Sequence, residues 1–569
     1  MPKCIVIGGG FGGIASALRM RAKGYDVTLI DKQDKLGGRG YQYNKETEHG
    51  VFVHDAGPTV ITAKFLFDEL FELFGKKRED YVEFRDIYPW YRIQFADGST
   101  FDYGGTMEQF EGQIRKFGGD RDVEGFRKYL AHSKRIFDKG FTELGDQPFD
   151  KFTTMLRCAP DLVRLGCYKT VYQMGAKYIK NEKLRRVFSF QPLLVGGNPF
   201  NTTCIYSLIF YLEREWGVQF AMGGTGAIVR GLEKLMEEEG IQIRLREEVT
   251  RLGVFDRKHI ETLQEDLADF DPNKKLVRDG LDLREVIAAG GLSKQLEAGA
   301  AQSVGLASGE RVPVSPKDGD IVVINGDPPH VYRELVPENQ RPKLPDVKID
   351  KLHYSMGLFV LYFGTTKPYD DVAHHTIVLG EAYRELIDKL FETRDVERED
   401  LSVYLHRPTA TDPSMAPEGM DSFYVLVPVP NLVPKKKPDG DPAVPMKDGA
   451  IDWAAFGDAF RDDVVRYLER TCLPGLSDCI TGDFYVTPEH FRDNLNTHFG
   501  SGFSVQPIFR QSAWFRFHNK SDIDGLYFVG AGTHPGAGMP GVLCSAKVVD
   551  NLIDPVASPT PADAAAAGA

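Results

Sequence analysis

Two glycine-rich runs at opposite ends of the 569-residue chain hold the residue types best suited to binding chemistry. The first, Gly8-Gly9-Gly10-Phe11-Gly12-Gly13, carries the spacing G-x-G-x-x-G at Gly8, Gly10 and Gly13. Glycine at the first position permits a tight turn, at the second it lets the backbone approach a pyrophosphate, and at the third it lets a helix pack on a strand. Asp31 stands eighteen residues beyond Gly13, where a carboxylate accepts hydrogen bonds from a ribose hydroxyl. An acid there favours a free 2′-hydroxyl, as in FAD or NAD, over the 2′-phosphate of NADP. The second run, residues 530–541 (GAGTHPGAGMPG), supplies five more glycines near the other end of the chain.

For these residues to act, two strand–loop–helix units must position them. Residues 3–7 (KCIVI) read as a short buried strand, 14–23 as a helix and 26–30 as a second strand ending on Asp31, which together make the βαβ context the first motif requires. The helix N-terminus then offers free N–H groups and the positive end of its dipole to a phosphate. Residues 526–529 (LYFV), the second glycine run and a helix over 542–552 repeat the pattern. A helix N-terminus reached this way suits a cofactor edge that gains negative charge, as the N1/C2=O side of a flavin does on reduction. Because the motifs bracket the chain, the nucleotide-binding domain must be discontinuous. The expected architecture is α/β: a Rossmann-like domain from residues 1–62, 218–254, 318–345 and 493–553, interleaved with an α+β substrate domain from 63–217 and 346–492. Residues 63–216 read as mostly helical, while 358–363, 402–405 and 423–428 read as strands. Residues 255–317 read as an insertion, and 555–569 (PVASPTPADAAAAGA) as a low-complexity, disordered tail.

Leu36-Gly37-Gly38-Arg39, following the first motif, resembles the N-terminal signature of the flavoproteins that include amine oxidases and carotenoid desaturases. Residues 532–543 (GTHPGAGMPGVL), 513–519 (AWFRFHN), 496–502 (NTHFGSG), 374–377 (HHTI), 404–406 (YLH) and 428–430 (PVP) sharpen this. They are similar to bacterial and fungal-type phytoene desaturases over nearly the whole chain, apart from 255–317 and the tail. The resemblance implies FAD, bound without covalent attachment. It implies that Gly38 brings backbone close to the cofactor, that Arg39 lies beside the pyrophosphate, that Gly57, Pro58 and Thr59 pass near the flavin, and that Val249 touches adenine through its main chain. It likewise implies that Gly530, Gly532, Gly538, Met539 and Gly541 surround the flavin. Met539 and Asp31 depart from the family's usual residues, a small β-branched side chain and Glu.

The implied reaction is dehydrogenation of a long, uncharged polyene such as phytoene, in which one hydrogen leaves as hydride to flavin N5 and the other as a proton. His498, His534 and Arg516 are the polar groups expected beside the flavin, His being suited to acid–base work near neutral pH. Two other readings share these motifs: a flavin-dependent isomerase, ketolase or saturase of carotenoids or retinoids, and a non-enzymatic prenyl-binding escort protein. The reduced cofactor would pass its electrons to a quinone or to oxygen.

The formal net charge of −13 argues against nucleic-acid binding. The seven scattered cysteines, with no C-x-x-C pair, give neither a disulfide framework nor a metal site, and fit a reducing compartment. The chain shows no signal peptide and no apolar run long enough to span a bilayer, so the expected location is cytoplasmic. Residues 158–180 interleave Leu162, Val163, Leu165, Val171, Tyr172 and Met174 with Arg164, Lys169, Lys177 and Lys180, and Arg157 precedes them. Such a basic amphipathic stretch in an acidic protein can dock on anionic lipid, which makes a peripheral membrane position the companion expectation.

Overall fold

A computed structural model describes residues 1–254, 299–435 and 441–556, together with the backbone of a short strand pair, Val277–Arg278 and Leu281–Asp282. At its centre lies a five-stranded parallel sheet, in the spatial order Leu526–Phe528, Ile321–Ile324, Lys3–Ile7, Asp26–Ile30 and Gln242–Arg244. Its inner strands are continuously apolar because both faces are covered. Cys4 and Val6 turn to the helical layer, where Phe11–Ala22 packs beside Met539–Leu552. Ile5, Val322 and Ile324 turn the other way, onto a three-stranded antiparallel sheet of Val249–Val254, Ala301–Leu306 and Arg311–Pro313.

That antiparallel layer alters the expected boundary of the insertion. Ala301–Leu306 and Arg311–Pro313 fall within 255–317, yet Ala301, Val304 and Leu306 are core residues beneath the parallel sheet. Residues 255–298 of that stretch lie outside those whose side chains are described, as do residues 557–569 of the expected tail. Val556, by contrast, is held by its N–H on the Lys23 carbonyl at 2.9 Å.

A seven-stranded mixed sheet forms the second layer system, in the order Ile480–Val486, Gly357–Thr365, Asp421–Val429, Val403–His406, His375–Leu379, Tyr91–Phe95 and Thr100–Tyr103. Along Gly357–Thr365 the period-two alternation sorts side chains cleanly. Phe359, Leu361 and Phe363 pack on the helix Trp453–Thr471, whereas Leu358, Val360 and Tyr362 face the other way, onto a cavity. The last two strands come from a region expected to be mostly helical. Tyr91, Ile93 and Phe95 are buried at every second residue, a strand pattern set among long helices such as Met107–Phe137.

Candidate functional site

A cavity of about 700 Å³ lies between the two glycine loops and the sheet face that carries Leu358, Val360 and Tyr362. Two helix N-termini open onto it. Phe11–Ala22 begins at Gly10 and Met539–Leu552 at Gly538, neither with a side chain capping its first turn, so amides at both ends are free for a ligand. The loops are as tight as the motif requires. A Cβ on Gly13 would sit 1.9 Å from the Gly8 carbonyl oxygen, so only glycine lets this helix meet its strand. Gly13 itself is therefore a packing residue, while Gly8 and Gly10 line the cavity.

Asp31 lines the same end, its carboxylate fixed by the N–H of Gly9 at 2.6 Å and of Gln33 at 2.7 Å. Burial pushes its pKa up, and those two amides pull against that shift. Val249 lines the cavity at the start of its strand. Gly38 and Arg39 follow, and a Cβ on Gly57 would collide with the Arg39 carbonyl at 2.4 Å, so the 57–59 segment lies directly against Arg39. The Arg39 side chain is half-buried, and its enclosed Nε has no hydrogen-bond partner among the described residues. Burial lowers its pKa and the nearby Asp327 opposes that. Free amides, two positive helix ends and an unsatisfied guanidinium nitrogen on one wall are a donor set for a diphosphate and for a flavin edge that gains negative charge, and FAD fits it.

Pro58, Thr59, Gly530, Gly532, Gly538, Met539 and Gly541 complete the wall. The polar groups beside them are placed differently from expectation. His534 lines the cavity, its Nε2 3.2 Å from the Leu144 carbonyl and its ring against Phe149, and burial pushes its pKa down to about 4. Arg516 does not line it. Its guanidinium donates to the carbonyls of Thr533 (3.0 Å), Ala531 (2.5 Å) and Gln511 (3.4 Å), because a buried arginine must find acceptors and the glycine loop offers them. His498 is also behind the wall: its N–H donates to Asp327 at 2.8 Å and its Nε2 lies 3.2 Å from Asp350. Neither Arg516 nor His498, both expected beside the flavin, is thus among the residues that line the cavity.

Sequence reasoning missed the polar floor of the cavity. Thr59 Oγ1 lies 3.0 Å from the Tyr404 hydroxyl and 2.8 Å from that of Tyr424, and Tyr404 continues to His375 Nδ1 at 2.7 Å. His375 meets His406 at 3.3 Å between Nδ1 atoms, and His374 joins them. Burial holds all three well below the usual histidine range, so they are neutral near pH 7. No metal site was expected, yet among the described residues this is the one group of three ligand-bearing side chains close enough to share an ion. The second omission is Glu213, a cavity-lining carboxylate that accepts hydrogen bonds from Tyr91 (2.9 Å) and Tyr103 (2.7 Å). Its signal was an acid three residues after Phe210, on the buried stripe of the helix Leu208–Trp216.

A parallel dinucleotide sheet, with two helix N-termini meeting over one cavity walled by a mixed sheet, defines a flavin-dependent oxidoreductase. The chain belongs to the flavin containing amine oxidoreductase family, whose model matches residues 11–271 and 260–549. Within it, the chain is 41% identical to the lycopene-forming phytoene desaturase of Pseudescherichia vulneris, covering 97% of this chain and 99% of that one. It is 42% identical to the corresponding protein of Pantoea ananas over the same shares. The neurosporene-forming phytoene desaturase of Rhodobacter capsulatus is 36% identical over 99% of this chain and 96% of its own. The fold is shared with an oxidoreductase from Methanosarcina mazei (TM-score 0.58, 14% identity, 96% and 100% covered). It is shared too with a redesigned putrescine oxidase (TM-score 0.55, 12% identity, 97% and 98% covered). The protein is an FAD-dependent oxidoreductase of the phytoene desaturase type, acting on CH–CH groups.

Proposed function

We propose that this protein dehydrogenates phytoene or a similar long apolar polyene, which it collects from a membrane surface. One observation carries the reading: the cavity continues from the glycine loops, past Leu193, Ile205 and Ile209, to Met155, Phe509 and Phe515 at an exposed apolar mouth. Phe152, Leu156, Val163, Tyr168, Phe509 and Phe515 are each 46–66% exposed. Trp514 joins them, its ring 5.1 Å from Phe152 and 5.4 Å from Phe515. Six large apolar side chains left in water, two of them lining the cavity and three on the helix Phe152–Arg164, are costly unless something covers them, at about 1.5–3 kcal/mol each when fully transferred. Lipid covers them and delivers a water-insoluble substrate to the opening in the same act.

The docking face we propose overlaps the stretch expected, 158–180, only in part. Val171 and Met174 of that stretch are core residues, as is Cys158. The exposed apolar stripe belongs instead to the helix Phe152–Arg164 and to residues 509–515, with Arg157, Arg164 and Arg510 exposed beside it. These cations suit anionic headgroups. Among the described residues no helix is long and apolar enough to cross a membrane.

FAD, when bound, supplies the hydride acceptor. The chain's own residues would hold its diphosphate on the N-terminus of the helix Phe11–Ala22, turn the N-terminus of the helix Met539–Leu552 to the flavin edge that gains charge, keep water from the reacting carbons with the apolar walls, and align the polyene along the strand Gly357–Thr365. A quinone or dioxygen is the class of final electron acceptor. The test is expression in cells that accumulate phytoene, with pigments separated by chromatography. Coloured products with more conjugated double bonds support desaturation. A product with the same number of double bonds, fewer of them, or a new carbonyl overturns it in favour of an isomerase, saturase or ketolase.

A further inference from the structure

Among the described residues, Glu213 is the one acid on the substrate-facing part of the cavity wall. The other lining carboxylates sit elsewhere: Asp31, Glu247 and Glu248 lie at the ends of the dinucleotide sheet, where the Asp31 carbonyl accepts the Glu247 N–H at 3.0 Å, and Asp327 faces Arg39. Glu213 comes instead from the helix Leu208–Trp216, and its helical neighbours Leu208, Ile209 and Leu212 form the apolar wall beside it. Its surroundings are built for a carboxyl group that changes charge. Tyr91 and Tyr103 each donate to one of its oxygens, and Gln191 donates to the Tyr103 hydroxyl at 3.2 Å. Arg214 adds a positive field from the same helix, though its guanidinium is engaged with the Gly105 carbonyl and lies over the rings of Trp90 and Phe110. Neutral His375 packs on the far side of Tyr91, with ring centroids 5.9 Å apart.

Resting on the reading of the site as a polyene dehydrogenase, we propose that Glu213 is the catalytic base that receives the substrate proton. The step balances without a further reagent. One C–H bond of the polyene breaks with its electron pair leaving as hydride to bound FAD, the oxidant. The adjacent C–H bond breaks with its proton passing to a Glu213 oxygen, and its electron pair becomes the new C=C. The protonated carboxyl then loses its proton before the next turnover. Burial pushes Glu213 up to about 7, against the opposing pull of Tyr103, Tyr91 and Arg214, so the group is poised between its two states at neutral pH. His534, a histidine on the same wall, is held down at about 4 and is a weak base by comparison.

The test is Glu213→Gln in full-length, FAD-loaded protein, with phytoene supplied in liposomes and flavin bleaching followed anaerobically in a single turnover. We expect FAD content unchanged and bleaching slower by at least ~100-fold, the lower range for loss of a general base. Glu213→Asp should recover part of that rate. The wild-type rate should rise with pH through a midpoint near 7, a limb absent in Glu213→Gln. Independently of turnover, infrared difference spectra of the wild-type holoenzyme should show a carboxylic-acid C=O band that disappears across that pH range and is missing from Glu213→Gln. Bleaching of Glu213→Gln within about threefold of wild type, or with the same pH limb, overturns the inference and leaves the polyene reading standing. Absence of a titrating carboxyl band also overturns it. Failure of phytoene to bleach the wild-type flavin overturns the polyene reading and this inference with it.

Discussion

Arg516→Met separates a brace from a catalyst. In the structure the Arg516 guanidinium is fully enclosed and binds the carbonyls of Thr533, Ala531 and Gln511, the first two within the glycine loop beside the flavin position. Methionine keeps much of the side-chain length and removes every donor. The two short bonds, at 3.0 and 2.5 Å, are charge-assisted, and the third, at 3.4 Å, is weak. A buried carbonyl left without a donor costs about 1–3 kcal/mol, so two such carbonyls put the loss at roughly 2–6 kcal/mol before relaxation. Burial already lowers the pKa of this arginine, so the protein loses no well-solvated charge in the exchange. The assay is the temperature at which flavin fluorescence appears at a fixed heating rate, together with turnover per bound FAD. The expected result is earlier flavin release and low occupancy, with turnover per retained flavin reduced far less than occupancy. Unchanged release temperature and full occupancy with turnover per flavin down by ~100-fold or more would refute the bracing argument and return Arg516 to the chemistry.

Gly13→Ala should yield protein without FAD, because the 1.9 Å approach of its Cβ to the Gly8 carbonyl forces the helix off the strand; near-stoichiometric flavin after desalting would contradict this. Thr59→Val removes the hydroxyl shared by Tyr404 and Tyr424 and should destabilise the holoenzyme by about 1–2 kcal/mol, measured by chemical denaturation. Replacing Leu156 and Phe515 by Ser should weaken sedimentation with liposomes at all salt concentrations, whereas Arg157→Glu with Arg164→Glu should weaken it chiefly at low salt. Sedimentation unchanged in both variants would place the docking face elsewhere.

The nucleotide-binding half was legible in the sequence because its signals are local. A strand, a glycine turn and a helix N-terminus lie within about thirty residues of each other, and the chemistry they perform is backbone chemistry that follows from the turn itself. Gly8, Gly10, Asp31 and the 530–541 loop therefore came from spacing alone, and the resemblance added Gly38, Arg39 and Val249, which line the same cavity. Strand Gly357–Thr365 was readable for a similar reason, since its apolar run is long and bounded. The short hairpin Tyr91–Phe95 and Thr100–Tyr103 was hidden by the helices around it, and the strand that joins it to the sheet, His375–Leu379, pairs with Tyr91–Phe95 from some 280 residues on.

Which polar side chains reach the cavity was decided only by tertiary structure. Arg516, His498 and His534 sit near one another in motif sequence, yet packing turns His534 to the cavity, spends Arg516 on carbonyls and ties His498 to Asp350. Glu213 is the converse case. In sequence it is one acid of Glu-Arg-Glu on a helix, where Glu213 and Glu215 look alike. The fold buries the first against two tyrosine hydroxyls drawn from strands 110 and 122 residues away and leaves the second outside. A side chain's pKa and its access to substrate depend on what non-local neighbours remove water from it, and no local pattern encodes that.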